Sequence, residues 1–369
     1  MSNKIFIQIA SYRDPQLYST IKNAFENAEF PENLVFGICW QKDEKETLNE
    51  YENHPQVKLD IYPYQESKGA CWARNKLQYL YNDEQYTLQL DSHHRFVKHW
   101  DTVVINMYNQ LREKGVEKPL ITTYLPSYNP DKDPEDRCMC PWEIVMKEKT
   151  HDKQVLFIPS YIHEHEKLTE PVLAKFYSAH FAFTTGNFVK EVPHDPELYF
   201  TGEEMSITVR AYTYGYDLFH PHILIAWHEY TRNYRAKHWE DDKEWWKKDL
   251  HSKQHYLSVF ENDGKYGIGK KRTIQDYINF SGIDFLNFDE VTKKETKPEA
   301  KPEAKIKSET IEISKNYKEI DVTWRTWIES NLKLNISRHA IKDILIQANF
   351  NPTCVNQEID NISKKINYI

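Results

Sequence analysis

No stretch of this 369-residue chain supplies the roughly 18 consecutive apolar residues that a bilayer-spanning helix needs. The opening, Met1-Ser-Asn-Lys-Ile-Phe-Ile-Gln-Ile-Ala10, lacks the charged, apolar and cleavage regions of a secretory signal and passes straight into a strand pattern. A soluble, cytoplasmic protein with no membrane span is expected. Positive charge is also in deficit. Lys and Arg number 48 against 56 Asp and Glu, a net charge of -8, so no overall basic field draws phosphate backbones and a general nucleic-acid binder is excluded. Cysteine is sparse and odd in number, at five; Cys39 and Cys71 fall in segments that read as a strand and a helix start, which fits free thiols in a reducing compartment. Cys138-Met-Cys140 is too short and solitary for a four-ligand zinc site. Glycine is scarce, at ten residues, whereas aromatics make up 14% of the chain with 24 Tyr and 10 Trp. That richness suits either an aromatic-heavy core or a surface that handles sugars or peptides.

Residues 1–290 are dense in apolar side chains and alternate strand-like with helical patterns. Ile5–Ala10, Val35–Trp40 and Val57–Tyr62 read as strands, Leu17–Ala28 and Gly69–Tyr81 as helices, and Gln85–Leu90 as the strand that delivers Asp91. The order predicts an α/β layer with a mostly parallel sheet, whose ligands bind beyond the carboxyl ends of the strands. Residues 291–309 repeat Lys-Pro-Glu-Ala and carry no aromatic side chain, so they read as an extended, solvated linker. In residues 310–369, Trp324, Trp327, Ile328, Leu332, Ile341, Ile344 and Leu345 recur at helical spacing and predict a small α-helical module, for oligomerisation or docking on a partner.

Several motifs fall where such a sheet would gather them. Asp91-Ser92-His93 follows a buried strand, and residues i and i+2 of an extended segment share a side, so Asp91 and His93 can reach one ion. Mn²⁺ accepts both carboxylate and imidazole, and Mg²⁺ the carboxylate. His228, at the end of a later strand pattern, is the candidate third ligand. Ser11, Arg13 and Asp14 follow the first strand and suit a nucleotide, Ser11 and Asp14 at a uridine and Arg13 at a phosphate; the same spacing equally fits a helix cap and a solvated Arg13. Arg74 and Asn75 lie on the helix opened by Gly69, whose free N–H groups favour an anion. Gly186 permits close backbone approach, and Glu203 and Glu204 enter a helix at its first turn. Gly264-Lys-Tyr-Gly-Ile-Gly-Lys-Lys-Arg272 makes a basic, glycine-bearing loop suited to closing over a diphosphate, or a solvated turn.

In order, Ala10-Ser-Tyr-Arg-Asp14, Gly69-x-x-x-Ala-Arg-Asn75, Leu90-Asp-Ser-His-x-Arg-Phe96, Trp100-Asp101, Gly202-Glu-Glu204, Trp227-His-x-Tyr-x-Arg232 and Tyr266-Gly-Ile-Gly-x-Lys-Arg272 resemble the cytoplasmic hydroxyproline-type polypeptide α-N-acetylglucosaminyltransferases. The set is more distantly similar to the mucin-type polypeptide N-acetylgalactosaminyltransferases. The resemblance covers about residues 4–288 and implies a GT-A fold, a UDP-sugar donor, a divalent metal and retention of configuration. Asp91, His93 and His228 would hold the metal; Ser11, Arg13, Asp14, Arg74 and Asn75 would hold the nucleotide, with Asp91 and Ser92 also meeting the donor. Gly186 and Glu203 would face the sugar, Glu203 or Glu204 would orient sugar or acceptor, and Lys270 and Arg272 would meet the diphosphate. GlcNAc is the expected sugar and a protein hydroxyl the expected acceptor, with a glycan hydroxyl or simple hydrolysis of the nucleotide sugar as alternatives. The mucin-type Gly-Gly-x-Phe is Thr185-Gly-Asn-Phe188 here, and residues 306–369 match neither family.

Overall fold

A computed structural model describes residues 3–150, 154–231, 235–287, 320–333, 338, 341–342, 345, 350 and 352–366. Arg232, Ile344 and the 291–309 linker lie outside them. Residues 1–148 with 154–286 form one compact unit, and 149–153 with 287–369 a second.

Twelve strands are described: β1 (Ile5–Tyr12), β2 (Leu34–Lys42), β3 (Val57–Pro63), β4 (Tyr86–Leu90), β5 (His94–Phe96), β6 (Pro119–Thr122), β7 (Trp142–Lys149), β8 (Val155–Tyr161), β9 (Val172–Leu173), β10 (Phe181–Thr185), β11 (Asp217–His220) and β12 (Ala226–His228). Eight of them make one sheet in the order β3-β2-β1-β4-β10-β6-β11-β9. Strands β3, β2, β1 and β4 are parallel neighbours, as are β6 and β11, while β10 and β9 run against their neighbours. This is the mostly parallel, Rossmann-like GT-A arrangement that the resemblance implies. Leu34 to Gln41 of β2 are all buried, the pattern of a parallel strand covered on both faces.

Helices cover the sheet. α1 (Leu17–Asn27) buries Leu17, Thr20, Ile21 and Ala24, the one-sided stripe of a surface helix. α2 (Ala70–Gln78) leads towards β4, and α3 (Trp100–Glu113) follows β5. Trp100 donates its indole N–H to Ala24 O (2.9 Å), and Asp101, 2% exposed, accepts from the backbone N–H groups of Glu29 (2.8 Å) and Phe30 (2.9 Å). The Trp100-Asp101 pair therefore joins the exit of α1 to the start of α3, a structural duty. α4 (Phe188–Glu191) and α5 (Glu203–Thr213) follow β10, and α6 (His238–Asp241), α7 (Trp245–Tyr256) and α8 (Ile274–Ser281) follow β12.

In the second unit, α9 (Val322–Lys333) packs on α10 (Pro352–Ile366), with the Trp324 ring against Trp327 and Phe350 and an ion pair between Arg325 and Glu358 at 2.8 Å. Trp327, Ile328, Ile341 and Leu345 are buried, and Leu332 is half-buried, as a helical module requires. Among the described residues no helix is long and apolar enough to cross a membrane.

Asp101→Ala removes the buried carboxylate that accepts from the Glu29 and Phe30 N–H groups, so it should lower the unfolding free energy by about 1–2 kcal/mol in urea melts, with the second unit's helices intact by circular dichroism.

Candidate functional site

Strands β1 and β4 are parallel neighbours with Ile9 opposite Leu90, so the segments that leave them, Ser11–Asp14 and Asp91–His93, emerge side by side. A short antiparallel pairing then places His228 opposite His94, which swings the end of β12 over the same point. Asp91, His93 and His228 converge there, each offering a ligand atom within 4.8 Å of the others. The Nε2 atoms of His93 and His228 are 2.9 Å apart, and Asp91 Oδ2 lies 3.2 Å from His228 Nε2 and 3.6 Å from His93 Nε2. Neighbouring ligands of an ion with bonds of about 2.1 Å stand about 3 Å apart, so the spacing fits a small divalent cation.

The donor chemistry fits as well. His93 Nδ1 faces Asp14 Oδ2 at 2.8 Å, which leaves the Nε2 lone pair turned inward, the carboxylate–histidine arrangement usual behind a metal ligand. Ser92 donates its hydroxyl to the same Asp14 oxygen (2.8 Å), and the Gln16 backbone N–H holds the other (2.9 Å). Burial lowers the affinity of His228, His94 and His180 for a proton and keeps them in the neutral, ligating form. Burial alone would raise the Asp91 carboxyl, but His228, Arg74 and His93 together hold it well below the usual carboxylate range. His94 is turned away: its Nε2 accepts from the Asp91 backbone N–H (3.2 Å) and its Nδ1 faces Trp227 O (3.1 Å).

Three cations border the cluster. Arg74, almost fully buried, bonds Asp91 Oδ1 (2.8 Å). Arg235, which sequence reading passed over, reaches Asp14 (3.3 Å) and touches His93; its only sequence signal is a position seven residues beyond His228. Arg13 has φ of 46°, is bonded to Asp241 of α6 (2.7 Å) and lies over the Tyr64 ring. Ser11 is fully buried at the end of β1, and Asn75 donates to His194 O (2.8 Å). A cavity of about 340 Å³ opens beside Arg13 and Asp14, walled by Trp40, Leu48 and Ala236. Ser11 Oγ, Arg13 Nε, Arg74 Nε and Nη1, His228 Nδ1 and Arg235 Nε are buried without a hydrogen-bond partner among the described residues.

The two glutamates face different ways. Glu203, 4% exposed, turns inward, with Oε1 2.9 Å from Arg74 Nε and 3.2 Å from His194 Nδ1. Glu204 accepts from the Tyr124 hydroxyl (2.7 Å) and the Ala179 N–H (2.9 Å), beside Tyr230 and His180. Burial pushes both carboxyls up to about 7, against Arg74 at Glu203 and the Tyr124 hydroxyl at Glu204.

Three expected site residues lie elsewhere. Because β10 is antiparallel to β4, Phe181 is level with Leu90 and Thr185 with Tyr86, so Gly186 sits at the opposite end of the sheet, roughly 20 Å of strand from Asp91. A Cβ there would meet Glu84 O at 2.0 Å, so this glycine serves packing and not a sugar. Ala179 and His180, at the other end of β10, are what reach the site. Lys270 is exposed and paired with Asp263 (3.1 Å), and Arg272 with Asp217 (2.8 Å). Their loop bonds to Thr213, the last residue of α5, about 15 Å of helix from Glu203, so neither cation reaches the cluster.

A family model described as "Glycosyltransferase (GlcNAc)" matches residues 4–53 and 44–287. The chain belongs to this glycosyltransferase family. Among solved structures, GalNAc-T7 with UDP, GalNAc and Mn²⁺ is 15% identical, with a TM-score of 0.49, covering 70% of this chain and 48% of that one. S. aureus TarS gives 12% and 0.42, covering 71% and 41%. S. aureus TarS 1-349 in complex with UDP-GlcNAc gives 10% and 0.47, covering 97% and 89%. The chain thus spans about half the length of GalNAc-T7 and less of the longer TarS. No curated protein matches the chain. The match to the glycosyltransferase family ends at residue 287, so the second unit lies beyond it except for residues 149–153 and Asn287.

Glu203 and Glu204 bind a proton more tightly folded than unfolded, where the ordinary value is 4.5, so their contribution to stability is present below pH 4.5 and lost as pH rises through about 7. Glu204→Gln should therefore gain stability relative to wild type across that window in urea unfolding; a difference that stays flat with pH would contradict the raised Glu204 carboxyl.

Proposed function

We propose that the chain is a divalent-metal-dependent, retaining glycosyltransferase that moves GlcNAc from a UDP donor to a hydroxyl on a protein. The observation that carries the reading is the convergence of Asp91, His93 and His228, backed by Asp14, among buried donors without partners. A divalent cation held by those three residues would offset the charge that gathers on the leaving diphosphate. Arg74 Nη1 and the Arg235 guanidinium present further positive charge on the same side. Ser11, Arg13 and Asp14 border the cavity end of β1, which suits the nucleoside, with Ser92 holding Asp14 and Asn75 holding the loop at His194.

Front-face transfer with retention suits this arrangement. A nucleotide leaving group needs no protonation by an acid, so one of the two carboxylates of a retaining glycosidase has no task here. A diphosphate oxygen can take the proton of the acceptor hydroxyl. Of the two glutamates, Glu204 is the one set beside Tyr124, Tyr230 and His180 at the open side, and we assign it to orienting sugar or acceptor. Glu203, enclosed by Arg74 and His194, supports the site from behind.

The family description favours GlcNAc, and the motif resemblance favours a protein hydroxyl and a cytoplasmic setting. Residues 310–369 are assigned to docking or self-association, tethered by 291–309.

Turnover of UDP-GlcNAc should vanish in EDTA and return with Mn²⁺, and should exceed that of UDP-GalNAc, UDP-glucose and UDP-galactose. Asp91→Ala and His93→Ala should each lose at least about 100-fold in rate while melting as folded proteins. Full activity in EDTA, or in both variants, would sink the metal assignment; sugar release that no acceptor accelerates would instead mark a hydrolase.

A further inference from the structure

His194, in the loop between α4 and α5, is 1% exposed and held from four sides. Its backbone N–H bonds Gln78 Oε1 (2.9 Å) and its carbonyl accepts from Asn75 Nδ2 (2.8 Å). The preceding Pro193 carbonyl accepts from Arg210 Nη1 (2.7 Å), and the imidazole Nε2 meets Gln89 Oε1 (2.5 Å). No surface or motif accounts for so firmly fixed an imidazole.

The proton positions follow from one group that can only accept. The Ala179 carbonyl lies 2.7 Å from Gln89 Nε2, which fixes the amide with its oxygen towards His194. His194 Nε2 therefore carries the hydrogen. Burial, with Arg74 and Arg210 facing the ring, keeps His194 neutral, so Nδ1 bears a lone pair. That lone pair is 3.2 Å from Glu203 Oε1. Arg74 Nε is 2.9 Å from the same oxygen, yet Oε1 receives no hydrogen bond, because the guanidinium N–H is not aimed at it. An oxygen with no donor directed at it, facing an acceptor, is satisfied when it carries the proton itself.

We infer that His194 is a positioning residue of the transfer site: its Nδ1 accepts a hydrogen bond from a protonated Glu203 carboxyl, which leaves the Arg74 charge to Asp91 and to the donor diphosphate. The Gln89 amide is the hinge of the device. It binds the Ala179 carbonyl while Glu204 binds the Ala179 N–H, so the two glutamates are tied to the same residue through its two flanking peptide groups. The catalytic consequence rests on the proposed role of Asp91, but the hydrogen-bond direction does not.

Nitrogen-15 NMR of the full chain, with His194 assigned by its loss in His194→Gln, reads that direction. A neutral ring protonated at Nε2 and bare at Nδ1 is expected; an imidazolium, or a proton at Nδ1, overturns the inference whether or not the protein transfers sugar. In kinetics, Asn at 194 offers an oxygen near the Nδ1 position, whereas Gln offers a group near Nε2. His194→Gln should lose about 10–100-fold in kcat with donor KM changed less than about threefold, and His194→Asn should recover most of that loss. Equal losses in two variants that melt like wild type would overturn the positioning role. Absence of metal-dependent turnover in wild type would instead count against the transferase reading and leave the NMR result to decide this one.

Discussion

The contact between Asp14 and His93, 2.8 Å long and buried, is the constraint on which the site depends. It ties the segment leaving β1 to the segment leaving β4, and those two strands are already fixed side by side by their parallel register. Asp14 turns the ring so that Nε2, and not Nδ1, faces Asp91 and His228. It also takes the Ser92 hydroxyl and approaches Arg235, so one carboxylate sets the directions of a ligand, a hydroxyl and a cation. Burial would raise such a carboxyl, yet His93 and Arg235 hold it far below its ordinary range. Removing a partner from a buried charge of this kind strands the others, which is why these residues work as a unit.

The same economy explains the atoms left without partners. A folded protein rarely leaves buried N–H and O–H groups unmatched, since each costs about 1–3 kcal/mol. Here Ser11, Arg13, Arg74, His228 and Arg235 each carry one or more, and they gather at one end of one sheet. Four of these five residues carry a nitrogen so placed, and they surround Asp14 and Asp91.

Much of this was legible in the sequence. The alternation of Gln85–Leu90 and the turn at Asp91 located the end of β4, and the i, i+2 rule put Asp91 and His93 on one side, because both are properties of a short local segment. Asp14 was placed at the site, but nothing local says that it faces an imidazole 79 residues away. Gly186 failed for a topological reason, since strand direction is not written in a strand's own residues and β10 runs opposite to β4. Lys270 and Arg272 failed because a basic, glycine-bearing loop has the same composition whether it meets a diphosphate or, as here, Thr213 and surface acids. Arg235 was missed because a cation in a polar segment looks solvated until a tertiary contact claims it.

Glu203 and Glu204 show how far adjacency in sequence departs from adjacency in role. Consecutive residues on a helix are turned by roughly 100°, so two neighbours in a first turn cannot address the same point. Gly202, the N-cap of α5, has φ of 93° and bends the chain into the helix, and from there Glu203 points to Arg74 beneath Asp91 while Glu204 points across to Tyr124. Burial raises both carboxyls alike, but the surroundings divide them. Glu203 lies between a guanidinium already bonded to Asp91 and an imidazole whose tautomer is fixed by Gln89, with the Cys71 thiol beside it. Glu204 rests on a tyrosine hydroxyl and a backbone N–H, both neutral donors. The Gly-Glu-Glu motif therefore sets two carboxylates in two surroundings, one held behind Asp91 by Arg74 and His194 and one turned to Tyr124 and the Ala179 N–H.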